Sequence, residues 1–356
     1  MKPENTYSPV SSLFSKQLNL SDFGFEKPAL KKIKEINKDI RPNKLLKFIQ
    51  YIFKYSKIVL NKYSSHFSKH DFTQPVLFTL LAVKIYTRTT YRQITDLLEL
   101  SDKIQKYLHL KKVPHYTTLQ KFFKRLPTAA LQELNKQILI NNKINGEIIV
   151  LDGSGFTNDY ADKYYAIIRW KERKSYVKNH ISIDVDSRLI LHFAAQRGPR
   201  FDTRFAIAAI RNVKKFNPKY ILADRAYDTE PIRKCINEEA KAEDQIPLKT
   251  RAKTGHYRLK SKNTFNQEIY SRRNNVESIF SVIKRIFNGT NRSRSLQLSN
   301  KETKLKNTIY NIYRLTQIQW NWGFLQSQKN KKQTKFSKNK NQLKNFASIP
   351  QNWIMS

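Results

Sequence analysis

The stretch Ile148-Ile149-Val150-Leu151-Asp152-Gly153 decides how the rest of the chain is read. Four successive apolar residues, three of them β-branched, suit a strand buried on both faces, and the run stops on an acid. Tyr220-Ile221-Leu222-Ala223 repeats the pattern and stops on Asp224. In an open α/β sheet, ligands gather at the carboxyl ends of the strands. Acids are scarce in this chain, with 28 Asp plus Glu against 67 Lys plus Arg, so two of them at such ends are informative. Each also has an ordinary reading: Asp152 capping a turn before Gly153, Asp224 pairing with Arg225.

Around these two runs the chain alternates between strand and helix patterns. His180–Val185 and Arg188–Ala195 alternate about Asp186-Ser187 as a hairpin, and Asp202–Phe216 reads as a helix capped by Asp202. A helix from about Glu230, a strand at Ile246–Lys249, a basic loop and a long helix from about Asn274 to Ile286 follow. One more helix after Lys301, ending near Leu315, is expected to pack on the sheet. This order predicts an α/β layer with mixed strand pairing over 146–325.

The preceding chain has a different character. Residues 1–40 are weakly patterned, whereas 41–145 carry apolar positions at helical spacing, broken by Pro75, Pro114 and Pro127, which predicts an all-helical domain. Tyr91–Leu100 is one short helix, and a second runs from Thr117 or Thr118, as N-cap, to Leu126. In the second, Leu119, Phe122, Phe123 and Leu126 form the apolar stripe and leave Gln120, Lys121, Lys124 and Arg125 outside. A basic helix in this place fits helix-turn-helix DNA binding, with the Lys121, Lys124 and Arg125 side as contact surface; it equally fits a bundle helix with a solvated face. Residues 326–356 are rich in Lys, Asn and Gln and read as a disordered basic tail.

Composition narrows the partners. A formal charge of +39 over 356 residues is a self-repulsion best tolerated beside a polyanion, which points to nucleic acid ahead of a membrane surface, without choosing DNA or RNA. The single cysteine, Cys235, excludes a disulfide and reads as a buried, inert thiol; the seven histidines lack zinc spacing, and no glycine-rich phosphate loop occurs. Met1-Lys2-Pro3-Glu4-Asn5 lacks a signal-peptide core, and the longest apolar run, Pro75–Val83, is too short to span a bilayer, so a cytoplasmic protein is expected.

Asp152 and Asp224, brought together on neighbouring parallel strands, would repel unless a cation lay between them. Hard oxygen ligands suit Mg²⁺, which makes metal-assisted phosphodiester chemistry the natural hypothesis. A third carboxylate comes from the long helix. Tyr270, Arg273, Glu277 and Lys284 fall within roughly a 60° arc if that helix extends back to Tyr270. Val276, Ile279, Phe280, Ile283 and Phe287 form a separate apolar stripe.

The pattern Tyr270-x2-Arg273-x3-Glu277-x6-Lys284 resembles the signature around the last acid of a large group of DDE insertion-sequence transposases. Leu151-Asp152-Gly153-Ser154 and Ala223-Asp224-Arg225-Ala226-Tyr227-Asp228 resemble the segments around the family's first two acids. Val113-Pro114-His115-Tyr116-Thr117-Thr118-Leu119 resembles its helical N-terminal region, so the similarity spans about 90–318. The resemblance implies an RNase H-like catalytic domain behind a helical DNA-binding domain. It implies cut-and-paste DNA transposition in which Asp152, Asp224 and Glu277 hold two Mg²⁺, with Mn²⁺ as a substitute. Tyr270, Arg273 and Lys284 would grip phosphates at the cleaved end. Double-stranded DNA, as transposon ends and target, is the implied partner, bound by a homodimer assembled on DNA in a prokaryotic nucleoid. The short interval from Asp224 to Glu277 leaves no room for the large β-rich insertion that some relatives carry there.

Asp184, Asp186, Asp202 and Asp228 are read as structural, and Arg272, Arg285, Arg292 and Arg294 as DNA-backbone contacts. Two rival functions stand beside transposition: a domesticated, DNA-binding descendant without catalysis, and an RNase H-like nuclease that stops at cleavage.

Overall fold

The computed structural model describes residues 43–158, 176–250 and 254–318. The segments 1–40 and 326–356 singled out above lie outside the described residues.

Six helices open the described chain: α1 (Lys44–Val59), α2 (Gln74–Tyr86), α3 (Tyr91–Glu99), α4 (Asp102–Tyr107), α5 (Tyr116–Arg125) and α6 (Thr128–Asn141). Their starts follow from local chemistry. Thr73 caps α2 by accepting from the Val76 N–H while Pro75 sits in the first turn, where its missing N–H costs nothing. Thr90 and Gln93 form a reciprocal capping box at α3, an arrangement worth about 1 kcal/mol. α5 begins one residue before the expected threonine caps. His115 takes the cap position without a capping bond, and its ring is engaged by the Thr117 hydroxyl at 2.8 Å. The stripe of α5 is as expected, with Leu119, Phe122, Phe123 and Leu126 buried and Lys121, Lys124 and Arg125 exposed.

The sheet has the order β3-β2-β1-β4-β5, where β1 is Ile148–Asn158, β2 Tyr176–Asp184, β3 Ile190–Arg197, β4 Tyr220–Leu222 and β5 Glu243–Gln245. β1 to β3 pair antiparallel, β4 runs parallel to β1, and β5 runs parallel to β4. A short β6 (Thr290–Asn291) lies parallel to the far end of β1. This mixed sheet flanked by helices is the RNase H-like arrangement. The flanking helices are α7 (Thr203–Val213), α8 (Glu230–Lys234, continued by a wider turn over Cys235–Glu239), α9 (His256–Thr264), α10 (Gln267–Ser271) and α11 (Asn275–Phe287). A last helix, α12, runs over residues 296–318.

The helices before β1 and the sheet share one contiguous apolar core. Buried asparagines fasten the layers. Asn311 on α12 accepts from the Ile190 N–H at 2.8 Å and donates to Asn135 of α6 at 2.6 Å, while Asn307 pairs with Asn179 of β2 at 3.0 Å. Such satisfied buried bonds each contribute on the order of 1 kcal/mol, and breaking one costs more, because its partner is left unpaired.

Two expectations need correction. The strand after α8 is Glu243–Gln245, not Ile246–Lys249. It makes no apolar strand pattern because its two buried side chains are polar and engaged: Gln245 donates to the Thr264 carbonyl and accepts from the Asn266 N–H, and Asp244 serves a buried arginine. Arg233, fully buried, donates to Asp228 at 3.0 Å and to Ser261 at 2.6 Å, and pairs with Asp244. The Ile246 carbonyl accepts from Arg233 at 2.8 Å and the Lys249 N–H donates to Asp228 at 2.8 Å, so the expected strand is spent on this network. Second, Asp202 stands at the N-cap position of α7 but makes no capping bond. Its carboxylate turns to Lys178 instead.

Candidate active site

β1 is hydrogen-bonded on both sides, with Asp152 opposite Ile181 on β2. Val150 pairs with Leu222, so two residues further on Asp152 and Asp224 stand at the same level on neighbouring parallel chains. The Asp152 carboxylate accepts from the Gly153 N–H at 2.7 Å, and Asp224 accepts from the Ala226 N–H at 2.9 Å, opening a 3₁₀ turn over Arg225–Tyr227. Asp152 caps no turn, because it and Gly153 both lie within β1, which continues to Asn158. Among the described residues Asp224 makes no ion pair with Arg225.

Burial pushes the Asp152 carboxyl up to about 6. Its bond from Gly153 and the nearby Arg273 pull it down, and Asp224 and Asp202 push it up further. Like charges crowd this acid, which is the situation a cation relieves.

Glu277 lies in the first turn of α11 with its side chain 60% exposed. Between it and Asp152 sits Arg273. One guanidinium nitrogen is 2.7 Å from Glu277 and another 3.5 Å from Asp152, and the arginine side chain is only 18% exposed. The structure therefore joins two of the three sequence-derived acids through a cation. Among the described residues no three His, Cys, Asp or Glu side chains stand close enough to share a metal ion.

The helix expected to carry Tyr270, Arg273, Glu277 and Lys284 is not continuous: α10 and α11 are joined by a 3₁₀ turn at Arg272–Asn274. Tyr270 lines a cleft with Asp224, Arg225, Pro247 and Lys262. Lys284 makes no ion pair with Glu277. Its ammonium donates to the Ser154 hydroxyl at 2.8 Å, lies 5.5 Å from the centre of the Phe156 ring, and has its pKa lowered by burial. Arg272 pairs with Asp186 in the hairpin turn. Lys121, Lys124 and Arg125 are on the exposed face of α5.

Two features escaped the sequence reading. Asp202 is held by Lys178 at 3.0 Å and lies so close to Gly153 that a β-carbon there would overlap its carboxylate. Beneath the acids, the Tyr227 hydroxyl and His180 Nε2 share a buried hydrogen bond of 2.6 Å. Burial, then His192 and Lys178, lower the His180 pKa to about 3; burial and the three neighbouring aspartates raise that of Tyr227. The pair is neutral, an uncharged floor. Tyr227 lies within the segment 223–228 already quoted, but no spacing rule singles out His180.

Comparison with known families finds a match over the sheet and its helices. Residues 144–312 match the family described as the transposase DDE domain. Over those residues the chain is similar to a DDE transposase domain. Solved structures similar to the chain include a piggyBac transposase synaptic complex with hairpin DNA, at 12% identity and a TM-score of 0.42, covering 79% of this chain and 76% of that one. A pre-cleavage Mos1 transpososome is similar at 8% identity and a TM-score of 0.21, covering 73% and 82% respectively. No curated protein matches the chain. No helix among the described residues is long and apolar enough to cross a membrane.

Proposed function

We propose that this chain is a DDE transposase, encoded by an insertion sequence, that binds the element's terminal inverted repeats and catalyses metal-dependent strand cleavage and strand transfer. The observation that carries the reading is the pair of carboxylates, Asp152 within β1 and Asp224 just past the end of the parallel β4, level with each other, with Glu277 tied to Asp152 through Arg273. Asp152, Asp224 and Glu277 are the acids that would hold Mg²⁺ or Mn²⁺. The donor chemistry fits, since all are hard oxygen ligands and Asp152 is crowded by like charge. When bound, the ions supply Lewis-acid activation of a water or 3′-hydroxyl and stabilise the leaving oxygen.

The chain's own residues do the rest. Arg273 neutralises Glu277 and Asp152 until a DNA phosphate competes for it; the guanidinium then holds the phosphate bidentately and frees the carboxylates. Lys284, fixed by Ser154 on the same strand as Asp152, and Tyr270, on the Asp224 side, hold the flanking backbone. Residues 41–145 read the ends through Lys121, Lys124 and Arg125, and 146–325 carry the chemistry. The assembly on DNA is a homodimer, in a prokaryotic cytoplasm at the nucleoid.

The test is an assay with purified protein, DNA carrying the inverted repeats that flank the gene, a target plasmid and Mg²⁺. Joined end–target products support transposition. Nicked ends that never join make the chain a nuclease, and binding without nicking makes it a domesticated descendant.

A further inference from the structure

A second charged cavity lies away from the acids. It has a volume of about 580 Å³ and is enclosed by α2, α5, α12 and the loop after β6. Its charged lining comprises Lys84, Lys121, Lys124, Arg292, Arg294 and a single acid, Glu302. That acid is already spent. Glu302 is buried and accepts from the Arg292 N–H at 3.2 Å and from the Ser293 N–H and hydroxyl at 3.0 and 2.6 Å, and pairs with Lys306 at 3.3 Å. It fixes the 292–293 loop and neutralises a lysine outside the cavity.

Lys84 is the telling residue. Its ammonium sits 4.4 Å from the centre of the Tyr91 ring and, among the described residues, has no hydrogen bond or ion pair. Lys84 is part-buried and lines the cavity, so its three ammonium donors can meet an acceptor that enters from solvent. Burial, then Arg292 and Lys306, lower its pKa, and Glu302 only partly opposes them. With five cations and one acid already engaged in its lining, the cavity suits an anion.

We propose that this cavity seats a backbone phosphate of duplex DNA, with Lys84 as its central ligand and Lys121, Lys124 and Arg292 around it. The inference rests on the transposase reading and adds to it a fixed register between end recognition and chemistry. α5 brings its basic face to the cavity and is tied to α12, where Lys301 donates to the Lys124 carbonyl at 2.9 Å. Arg292 follows directly on β6, which pairs with β1, the strand of Asp152. Arg292 also donates to the Arg88 carbonyl at 3.0 Å, and Arg88 in turn to the Ile286 carbonyl of α11 at 3.0 Å. One phosphate held here is thereby held at a set distance from both β1 and α11.

The test uses the full chain and a fluorescein-labelled duplex of about three helical turns, with affinity measured across a salt titration. Lys84→Met keeps the stem and removes the charge; Lys84→Arg keeps the charge; Lys84→Gln serves if the Met variant does not fold. The expected result for Met or Gln is about a three- to tenfold loss of affinity near 0.1 M salt and a salt slope shallower by about one, with Arg close to wild type. Single methylphosphonate linkages stepped along the duplex should reveal a position whose neutralisation weakens wild type and leaves Lys84→Met unaffected. Unchanged affinity and slope in Lys84→Met, together with a raised melting temperature, would show a merely tolerated part-buried charge and overturn the seat while leaving DNA binding intact. Failure of the wild-type chain to bind duplex at all would overturn both the seat and the transposase reading.

Discussion

The guanidinium of Arg273, in the 3₁₀ turn that leads into α11, lies 3.5 Å from the carboxylate of Asp152 and 2.7 Å from that of Glu277 in the first turn of α11. In the proposed reading this arginine competes with a divalent ion for the acids and then grips a phosphate, which predicts two opposite effects of its removal. Arg273→Ala should tighten Mn²⁺ binding to the DNA-free protein by about three- to tenfold, seen by calorimetry or electron paramagnetic resonance, because a competing cation is gone. It should also lower single-turnover cleavage at saturating metal by about a hundredfold, through lost phosphate positioning. An undiminished maximal rate would rule out the phosphate role.

Asp152 predicts a pH dependence of stability. Its folded pKa, about 6, is raised above the ordinary carboxylate value near 3.8, so the folded state holds its proton more tightly than the unfolded one. Stability from this group is full below about pH 4 and falls as pH rises to about 6, with no further change above. Asp152→Asn, in metal-free buffer, should match wild type near pH 4 and exceed it by about 1–3 kcal/mol at pH 7 by urea unfolding. Equal stability at both pH values would contradict the burial argument.

The Arg233 network predicts a purely structural lesion. Arg233→Met leaves Asp228 and Asp244 buried without their common cation, and breaking a buried pair from one side costs about 3–5 kcal/mol. Burial raises the Asp228 pKa, but the Lys249 N–H, Arg233 and Arg258 outweigh it and hold it below the ordinary range. Part of the loss should therefore be recovered by acidification, which a denaturation series from neutral to acid pH would reveal.

Gly153 predicts a steric lesion at the acids. A β-carbon there would overlap the Asp202 carboxylate and approach Lys178 Cε to 2.8 Å. Gly153→Ala should cost about 1–3 kcal/mol and impair cleavage, and pairing it with Asp202→Ala should restore much of the stability. A stability loss unaltered in the double variant would show that the strain lies elsewhere.

What the sequence made legible follows from how each residue is buried. Ile148–Leu151 and Tyr220–Ala223 announce themselves because a strand covered on both faces needs unbroken apolar character. Glu243–Gln245 cannot be read in that way, since it pairs only with β4 and its buried acid is satisfied by Arg233 across the chain. Asp202 sits where a helix cap belongs, and only the placement of Lys178 on β2 turns it toward Gly153. The helix offsets of Tyr270, Arg273, Glu277 and Lys284 were legible, whereas the 3₁₀ turn that separates Tyr270 from Glu277 was not. The reach of Arg273 to Asp152 is a tertiary contact that no spacing along one helix encodes.

The most direct measurement is Mg²⁺-dependent nicking of inverted-repeat DNA by the purified chain and by Asp152→Asn, Asp224→Asn and Glu277→Gln, with DNA affinity and folding measured on the same samples. The account predicts that each variant stays folded and binds DNA within a few-fold of wild type, while nicking falls by at least a thousandfold. A triple variant that still nicks the ends in Mg²⁺ would contradict it.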